Sequence, residues 1–179
     1  MISDFVKGKK RFDYSEGIQQ GIMLHRHMDN FTDSHPATKQ AKEFLKPVAG
    51  LYAGAFIDVA YDHFLALDKN EFTDESLMQF SITVYTSLKK FNSIYPEKFA
   101  GMFPFMLQDN WLYNYRTLSG TEKSFAGLAR RAKYLDESKM IFKCFEKNYE
   151  AIQQCYNDFF PALKAFAQKQ FILLTETKN

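Results

Sequence analysis

Apolar residues recur every three or four positions along most of the chain, which is the period of an amphipathic helix. No segment shows the strict alternation of apolar and polar residues that is typical of a half-buried strand. The pattern therefore predicts an all-α fold, a single-domain bundle of about seven or eight helices. We expect this domain to cover residues 1–174 and a polar tail to follow at 175–179.

Capping residues and prolines give the expected helix boundaries. Asp33 or Ser34 is the expected cap of the second helix, and Thr73 or Asp74 that of the fourth. The predicted helices are 16–31, a short one that stops before Pro47, 51–67, one that begins at Thr73 or Asp74, 96–118 with a kink or split at Pro104, one after Gly120, a long one from Asp136, and 161–174.

Composition and charge narrow the function classes. The chain has 179 residues, of which 17% are aromatic, and this content excludes a disordered chain. The formal net charge of +2 does not suggest a nucleic-acid partner. No apolar stretch is long enough for a membrane span. Cys144 and Cys155 are too far apart in one helical pattern to form a disulfide, so we expect a reducing, cytoplasmic location.

Two predicted helices carry acidic residues within their apolar stripes. In the first, Ile18 and Ile22 share a face with His25 and Asp29. In the helix 51–67, the stripe that contains Leu51, Ala55 and Leu65 also contains Asp58 and Asp62, and His63 adjoins it. Buried carboxylates need a cation or hydrogen-bond donors, and a divalent metal is one solution. Carboxylate with imidazole favours Mn²⁺, Mg²⁺ or Fe²⁺.

Each candidate ligand also has a purely structural interpretation. Asp58 is alternatively a surface acid, and His25 a hydrogen-bonded core histidine. His63 is alternatively a neighbour of Asp62 that points about 100° away around the helix. Asp33 is a candidate cap as well as a candidate ligand.

Basic residues cluster in two places, and either cluster is alternatively a solvated charge run. Lys7 lies in the first cluster, and Arg130, Arg131 and Lys133 form the second. Such clusters attract phosphate or an acidic protein. Arg26, next to His25, is a candidate contact for a phosphoryl oxygen.

The order and spacing of these motifs resemble acyl carrier protein phosphodiesterases over nearly the whole chain. The residues that carry the resemblance are D-F-V-K-G at 4–8, G-I-M-L-H-R-H-M-D at 21–29, F-T-D-S-H-P at 31–36, D-V-A-Y-D-H-F-L at 58–65, Q-D-N-W-L-Y-N-Y at 108–115 and F-F-P at 159–161.

The resemblance implies a specific activity. Such enzymes hydrolyse the phosphodiester between 4'-phosphopantetheine and a serine of acyl carrier protein, and they need a divalent metal, typically Mn²⁺. Their fold is an all-helical variant of HD-domain phosphohydrolases, but the usual His-Asp pair is here reversed as Asp62-His63. The site candidates carried over from the family are Asp4, His25, Asp29, Asp58, Asp62 and His63.

The beginning of the chain departs from the family pattern. Members usually have a further segment of the type N-F-L-A-H ahead of D-F-V-K-G, whereas this chain starts inside that motif. We expect a helix and a histidine to be missing. A metal ligand and part of the core would be lost with them.

The roles expected from these observations are those of metal-assisted hydrolysis. His25, Asp58, Asp62 and His63 would hold the metal. Asp4 and Asp29 would complete the ligand set, orient a ligand or accept a proton from water, and Arg26 and Lys7 would offset phosphoryl charge. Arg130, Arg131 and Lys133 would bind the acidic carrier protein. The alternatives are a metal-dependent phosphohydrolase of small nucleotides and a non-catalytic module that binds carrier protein.

Overall fold

The computed structural model describes residues 2–132 and 138–176 of the chain. Short 3₁₀ helices lie at Ser3–Phe5, Gly8–Asp13, Gly50–Tyr52 and Asn92–Ile94. The α-helices in these two ranges are α1 Glu16–Ser34, α2 Pro36–Ala49, α3 Ala53–Leu67, α4 Asp74–Lys89, α5 Glu97–Gln108, α6 Trp111–Asn114, α7 Leu118–Arg131, α8 Ser138–Lys147 and α9 Tyr149–Glu176.

The all-α single-domain prediction is confirmed, and no strand occurs among the described residues. The main core joins α2, α3, α7, α8 and α9 around fully buried side chains such as Phe56, Phe125, Phe145 and Ile152. A smaller apolar cluster packs α4 against α5 around Phe99. The predicted count of seven or eight helices is too low, because the described ranges alone contain nine α-helices.

Prolines do not end helices where the sequence suggested. α2 continues through Pro47 to Ala49, and α9 continues through Pro161. Each proline removes one helical hydrogen bond, but packing on both sides of it holds the helix in place. Buried Leu45 and Ala49 flank Pro47 in α2. In α9, buried Phe159 precedes Pro161, and Phe166 after it stacks on Phe31. The region 96–118 breaks after α5 at Asn110, rather than at Pro104, because Asn110 adopts the left-handed conformation with φ of 40°.

The helix caps agree with the prediction in one case and differ in the other. Thr73 caps α4, as predicted, and the structure adds a capping box between Thr73 and Ser76. The cap of α2 is His35, whose ring Nδ1 accepts a hydrogen bond from the amide of Ala37. The prediction of Asp33 or Ser34 is wrong because α1 extends through both residues.

Helix α3 lies at the centre of the fold and presents one open face. Phe56, Ile57, Ala60 and Phe64 are buried in the core. The stripe predicted to be buried is instead the open face, because Leu51 at its start is fully exposed and both Asp58 and Asp62 are exposed. The apolar residues on the other faces of α3 form the contacts with α2, α7 and α9.

Two further predictions concern the cysteines and the membrane. Cys144 and Cys155 are free thiols, and they lie on two separate helices, α8 and α9. Among the described helices, none combines the length and the apolar character that crossing a bilayer requires.

Candidate active site

The segment before α1 is held against that helix by hydrogen bonds. The Arg26 guanidinium donates to the carbonyl oxygen of Val6 over 2.6 Å, and the Ser3 hydroxyl donates to the carbonyl oxygen of Ile22 over 3.5 Å. Val6 is buried. These contacts place Asp4 beside the middle of α1. The guanidinium group of Arg26 is thus engaged with backbone, which differs from the phosphoryl contact expected from the sequence.

Asp4, His25 and Asp29 come together in the structure. Each offers one ligand atom, and these three atoms lie within 4.8 Å of one another. Ring Nδ1 of His25 lies 2.9 Å from Oδ2 of Asp29, one helical turn away. His25 is half-buried and both carboxylates are exposed. An imidazole and two carboxylates at this separation suit a hard or borderline divalent cation.

The two acids of α3 belong to the same region. Burial raises the pKa of Asp58 to about 6, and the nearby charge of Asp33 raises it further while Lys42 opposes the shift. The charges of Asp29 and Asp4 also raise the pKa of Asp58, so the electrostatic field of α1 and of the segment before it reaches α3. Burial, and to a smaller extent the charge of Asp58, raises the pKa of Asp62 to about 7. We call Asp4, Asp29, Asp33, Asp58 and Asp62 the acidic cluster.

The exposure of Asp58 and Asp62 is compatible with these raised pKa values. Both side chains keep accessible surface, yet surrounding protein replaces much of the water that would stabilise their charge. The direction of both pKa shifts follows from this surrounding protein and from the neighbouring carboxylates. A bound cation would lower both values again, because it stabilises the ionised form.

The sequence did not predict the ion pair between Asp33 and Lys42. Asp33 accepts a hydrogen bond from Nζ of Lys42 over 2.7 Å, so the acid expected as a cap or ligand forms an ion pair between α1 and α2. Through its charge, Lys42 also lowers the pKa of Asp58 and so opposes part of the rise. Its signal in the sequence is weak, because a lysine on an amphipathic helix is ordinary.

His63 is directed into the core, away from the acidic cluster. Ring Nδ1 is 2.6 Å from the carbonyl oxygen of Tyr115, and Nε2 is 2.9 Å from the hydroxyl of Tyr149. The residue is only 1% exposed, and burial lowers its pKa. Both ring nitrogens are engaged by protein, so these contacts do not support the sequence-based assignment of His63 as a metal ligand. They indicate a structural role that joins α3 to α6 and α9.

Replacing His63 by alanine tests this structural role. We expect the free energy of unfolding to fall by about 2–4 kcal/mol, because a cavity forms and two buried hydrogen-bond partners lose their bonds. Mn²⁺ affinity of the folded protein should stay within a few-fold of wild type. Urea unfolding and metal titration measure the two quantities. His27→Ala, which removes a half-buried hydrogen bond to Gln170 on the surface of α9, should cost less. A large loss of metal affinity at unchanged stability would contradict the structural role.

A cavity next to Asp4 is lined by several basic residues. Lys7, Lys10, Lys98 and Arg131 line this cavity, which has a volume of about 560 Å³. Its wall also contains three acids, which are Asp4, Asp13 and Glu97. We call the four basic residues the basic recess. The sequence pointed to Lys7 and Arg131 but not to Lys98, which lies in α5 and is brought there by the fold. Arg130 is exposed in the last turn of α7, and Lys133 lies outside the described residues.

The chain is similar to proteins of one family over most of its length. The family model described as acyl carrier protein phosphodiesterase matches residues 1–163. A protein of Photorhabdus laumondii with that name is 29% identical over 98% of this chain and 90% of its own length. The protein of that name from Yersinia enterocolitica is 28% identical over 96% of this chain and 90% of its own length.

The similarity extends to further relatives but to no solved structure. A protein of the same name from Enterobacter sp. strain 638 is 26% identical over 95% of this chain and 89% of its own length. No solved structure matches the chain. The expected relation to HD-domain proteins therefore stays a prediction.

Proposed function

Because the chain belongs to the acyl carrier protein phosphodiesterase family, we propose that it hydrolyses the phosphodiester between 4'-phosphopantetheine and a serine of acyl carrier protein. The products would be apo-protein and free 4'-phosphopantetheine. The observation that carries the proposal is the family match over residues 1–163, which includes every member of the acidic cluster. The clustering of Asp4, His25 and Asp29 supports it.

The donor atoms of the site fit a divalent metal. Asp4, His25 and Asp29 supply two carboxylate oxygens and one imidazole nitrogen within 4.8 Å, and Asp58 lies close enough to feel two of these charges. Oxygen-rich sites with one imidazole favour Mn²⁺ or Mg²⁺ over a structural Zn²⁺ site, which favours thiolate. We therefore infer Mn²⁺ as the cofactor, held by Asp4, His25, Asp29 and Asp58. When bound, Mn²⁺ would supply Lewis-acid activation of water and of a phosphoryl oxygen.

The remaining residues of the site suit distinct roles in hydrolysis. Asp62 would accept a proton from the attacking water at a carboxylate oxygen, since a pKa of about 7 matches the working pH of a general base. Lys7 and Arg131 lie beside Asp4 and would offset negative charge on the phosphoryl group. Arg26 is a positioning residue, because it holds the backbone that carries Asp4.

A direct assay tests this function. The purified chain is incubated with holo-acyl carrier protein and Mn²⁺, and mass spectrometry measures apo-protein and released 4'-phosphopantetheine. We expect turnover that stops when EDTA removes the metal. Turnover of cyclic or linear nucleotides but not of holo-protein would favour a nucleotide phosphohydrolase. Binding of holo-protein without turnover at any metal concentration would favour a non-catalytic binding module.

The basic recess is suited to dock the acidic carrier protein. The four basic side chains of the recess outnumber the three acids in its wall, Asp4, Asp13 and Glu97. Arg130, in the last turn of α7, adds to this excess of positive charge. Electrostatic docking accelerates association and is weakened by salt. The charges in this recess therefore predict an effect on KM rather than on kcat.

Charge reversal measures this docking contribution. For Lys10→Glu combined with Lys98→Glu, we expect kcat/KM for holo-protein to fall about tenfold or more at low salt, with kcat nearly unchanged. The dependence of kcat/KM on NaCl should also become shallower. Lys143→Glu with Lys147→Glu on α8 is the matched control, since it alters net charge equally and neither residue lines the recess. Equal effects of both pairs would show that only net charge matters and that this recess is no docking site.

A further inference from the structure

A larger cavity lies along α6 and α7, and Arg131 is the one residue of its described lining that is also assigned to hydrolysis. Its volume is about 980 Å³, within the range of small-molecule sites. The described residues that line it include hydroxyl, amide and cationic side chains together with small residues, among them Asn114, Thr117, Lys123, Ser124, Gly127 and Arg131. This lining can hydrogen-bond a polar chain and also contact its methylene groups.

The cavity lies beside the acidic cluster. Val59, which is between Asp58 and Asp62 in α3, forms part of its wall, and so does Tyr115. Burial and then the charge of Asp62 raise the pKa of the Tyr115 hydroxyl, so Asp62 lies near that wall. A ligand that fills this cavity therefore places one of its ends next to the proposed catalytic residues.

Arg131 connects the two cavities. It lines the cavity along α7 and also the basic recess that contains Asp4. A guanidinium group offers five donors and binds a phosphate with two parallel hydrogen bonds. Arg131 is thus shared by the α6–α7 cavity and by the recess whose wall contains Asp4, and its charge, like that of Asp62, acts on Tyr115.

We propose that the cavity along α6 and α7 binds the pantetheine arm of the substrate and that Arg131 binds the phosphate of that arm. The proposal rests on the proposed function, which requires a site for the arm next to the hydrolysed bond. The arm contains two amides, a hydroxyl and a terminal thiol joined by short apolar segments. This chemistry matches the mixed lining, whereas the carrier protein itself is far too large for the cavity.

Gly127 provides a way to fill the cavity without disturbing the helix. A Cβ atom added there would have only Nη1 of Arg131 nearby, at 3.9 Å. A larger side chain at this position would therefore occupy space beside the guanidinium. Gly120 of the same helix is unsuitable, because a Cβ atom there would collide with the carbonyl group of Asn114. Gly101 in α5 is a matched control, since a Cβ there meets open space and the residue lines neither cavity.

Calorimetric titration tests the role of Arg131. Wild-type protein with Mn²⁺ is titrated with 4'-phosphopantetheine and, separately, with pantetheine, which lacks the phosphate. We expect Arg131→Ala to weaken 4'-phosphopantetheine binding by about tenfold or more and pantetheine binding by less than about twofold. Lys143→Ala on α8 should change neither affinity. Equal weakening of both ligands would overturn the assignment of phosphate binding to Arg131.

Filling the cavity tests the arm site itself. We expect Gly127→Leu to abolish detectable binding of both ligands, and Gly101→Leu to retain both, with similar melting temperatures for the two variants. Unchanged binding in Gly127→Leu would overturn the proposal. Hydrolysis of holo-protein is measured in parallel, and it separates the two hypotheses. If wild type binds the arm but does not release it from holo-protein, the proposed function fails and the cavity assignment stands. If wild type hydrolyses holo-protein and Gly127→Leu does so equally well, the function stands and the cavity assignment fails.

Discussion

Asp29→Asn is expected to lower Mn²⁺ affinity on the order of 100-fold and hydrolysis of holo-acyl carrier protein by about 10²–10⁴-fold. Asparagine keeps the size of the side chain and can still hydrogen-bond His25, which lies 2.9 Å away. It lacks the negative charge that a metal ligand contributes beside Asp4 and His25. The variant therefore separates loss of charge from loss of structure.

Thermal unfolding provides a readout that does not depend on activity. Metal that binds only the folded state at 100 times its Kd stabilises the protein by about 2.7 kcal/mol, which corresponds to a rise in Tm of roughly 5–10 °C for this size. We expect this rise in wild type and not in Asp29→Asn. Glu43→Gln is the control, because Glu43 is an exposed acid of α2 paired with Lys46. A full metal-dependent rise in Asp29→Asn would place the metal elsewhere.

Helical spacing in the sequence predicted which candidate site residues of α1 and of α3 share a helix face, whereas Asp4 was suggested only by the family resemblance. His25 and Asp29 are one turn apart in a stripe that begins with buried Ile22, and the structure keeps that arrangement. Asp58 and Asp62 are one turn apart in the most apolar helix. Helical spacing shows which side chains share a face, so these pairs were predictable from α1 and α3 separately.

The partners that the site residues find across the fold were not predictable. Whether the face of α3 with Asp58 points inward depends on how α3 packs on α2 and α7, and the structure leaves that face open. His63 adjoins Asp62 in sequence, but the helix turns its ring toward Tyr149, far along the chain. The pairing of Asp33 with Lys42 likewise depends on the angle between α1 and α2.

Asp62→Asn is expected to lower hydrolysis by about 10²–10⁴-fold while stabilising the metal-free protein. Asp62 has a pKa of about 7 in the folded state against 3.8 for the ordinary side chain, so the folded protein binds its proton more tightly than the unfolded chain. Wild-type stability therefore falls as the pH rises from about 4 to 7 through this group. Asparagine carries no charge at any pH, so the variant does not lose stability through this group as the pH rises. Such a residue is retained for function at a cost in stability.

The pH profile of Tm distinguishes this effect from a general change in packing. In EDTA, we expect Asp62→Asn and wild type to melt at nearly the same temperature at pH 4. Above pH 7, the free energy of unfolding of the variant should exceed that of wild type by about 1 kcal/mol, or roughly 2–4 °C in Tm. This difference is smaller than the pKa shift alone would imply, because solvent screens the exposed side chain. Glu43→Gln should show no such trend, since Glu43 lies outside the acidic cluster. With Mn²⁺ present the order should reverse, because the ionised carboxylates of wild type then interact favourably with the cation. A variant less stable than wild type in EDTA at pH 8 would show that Asp62 supports the fold rather than the chemistry.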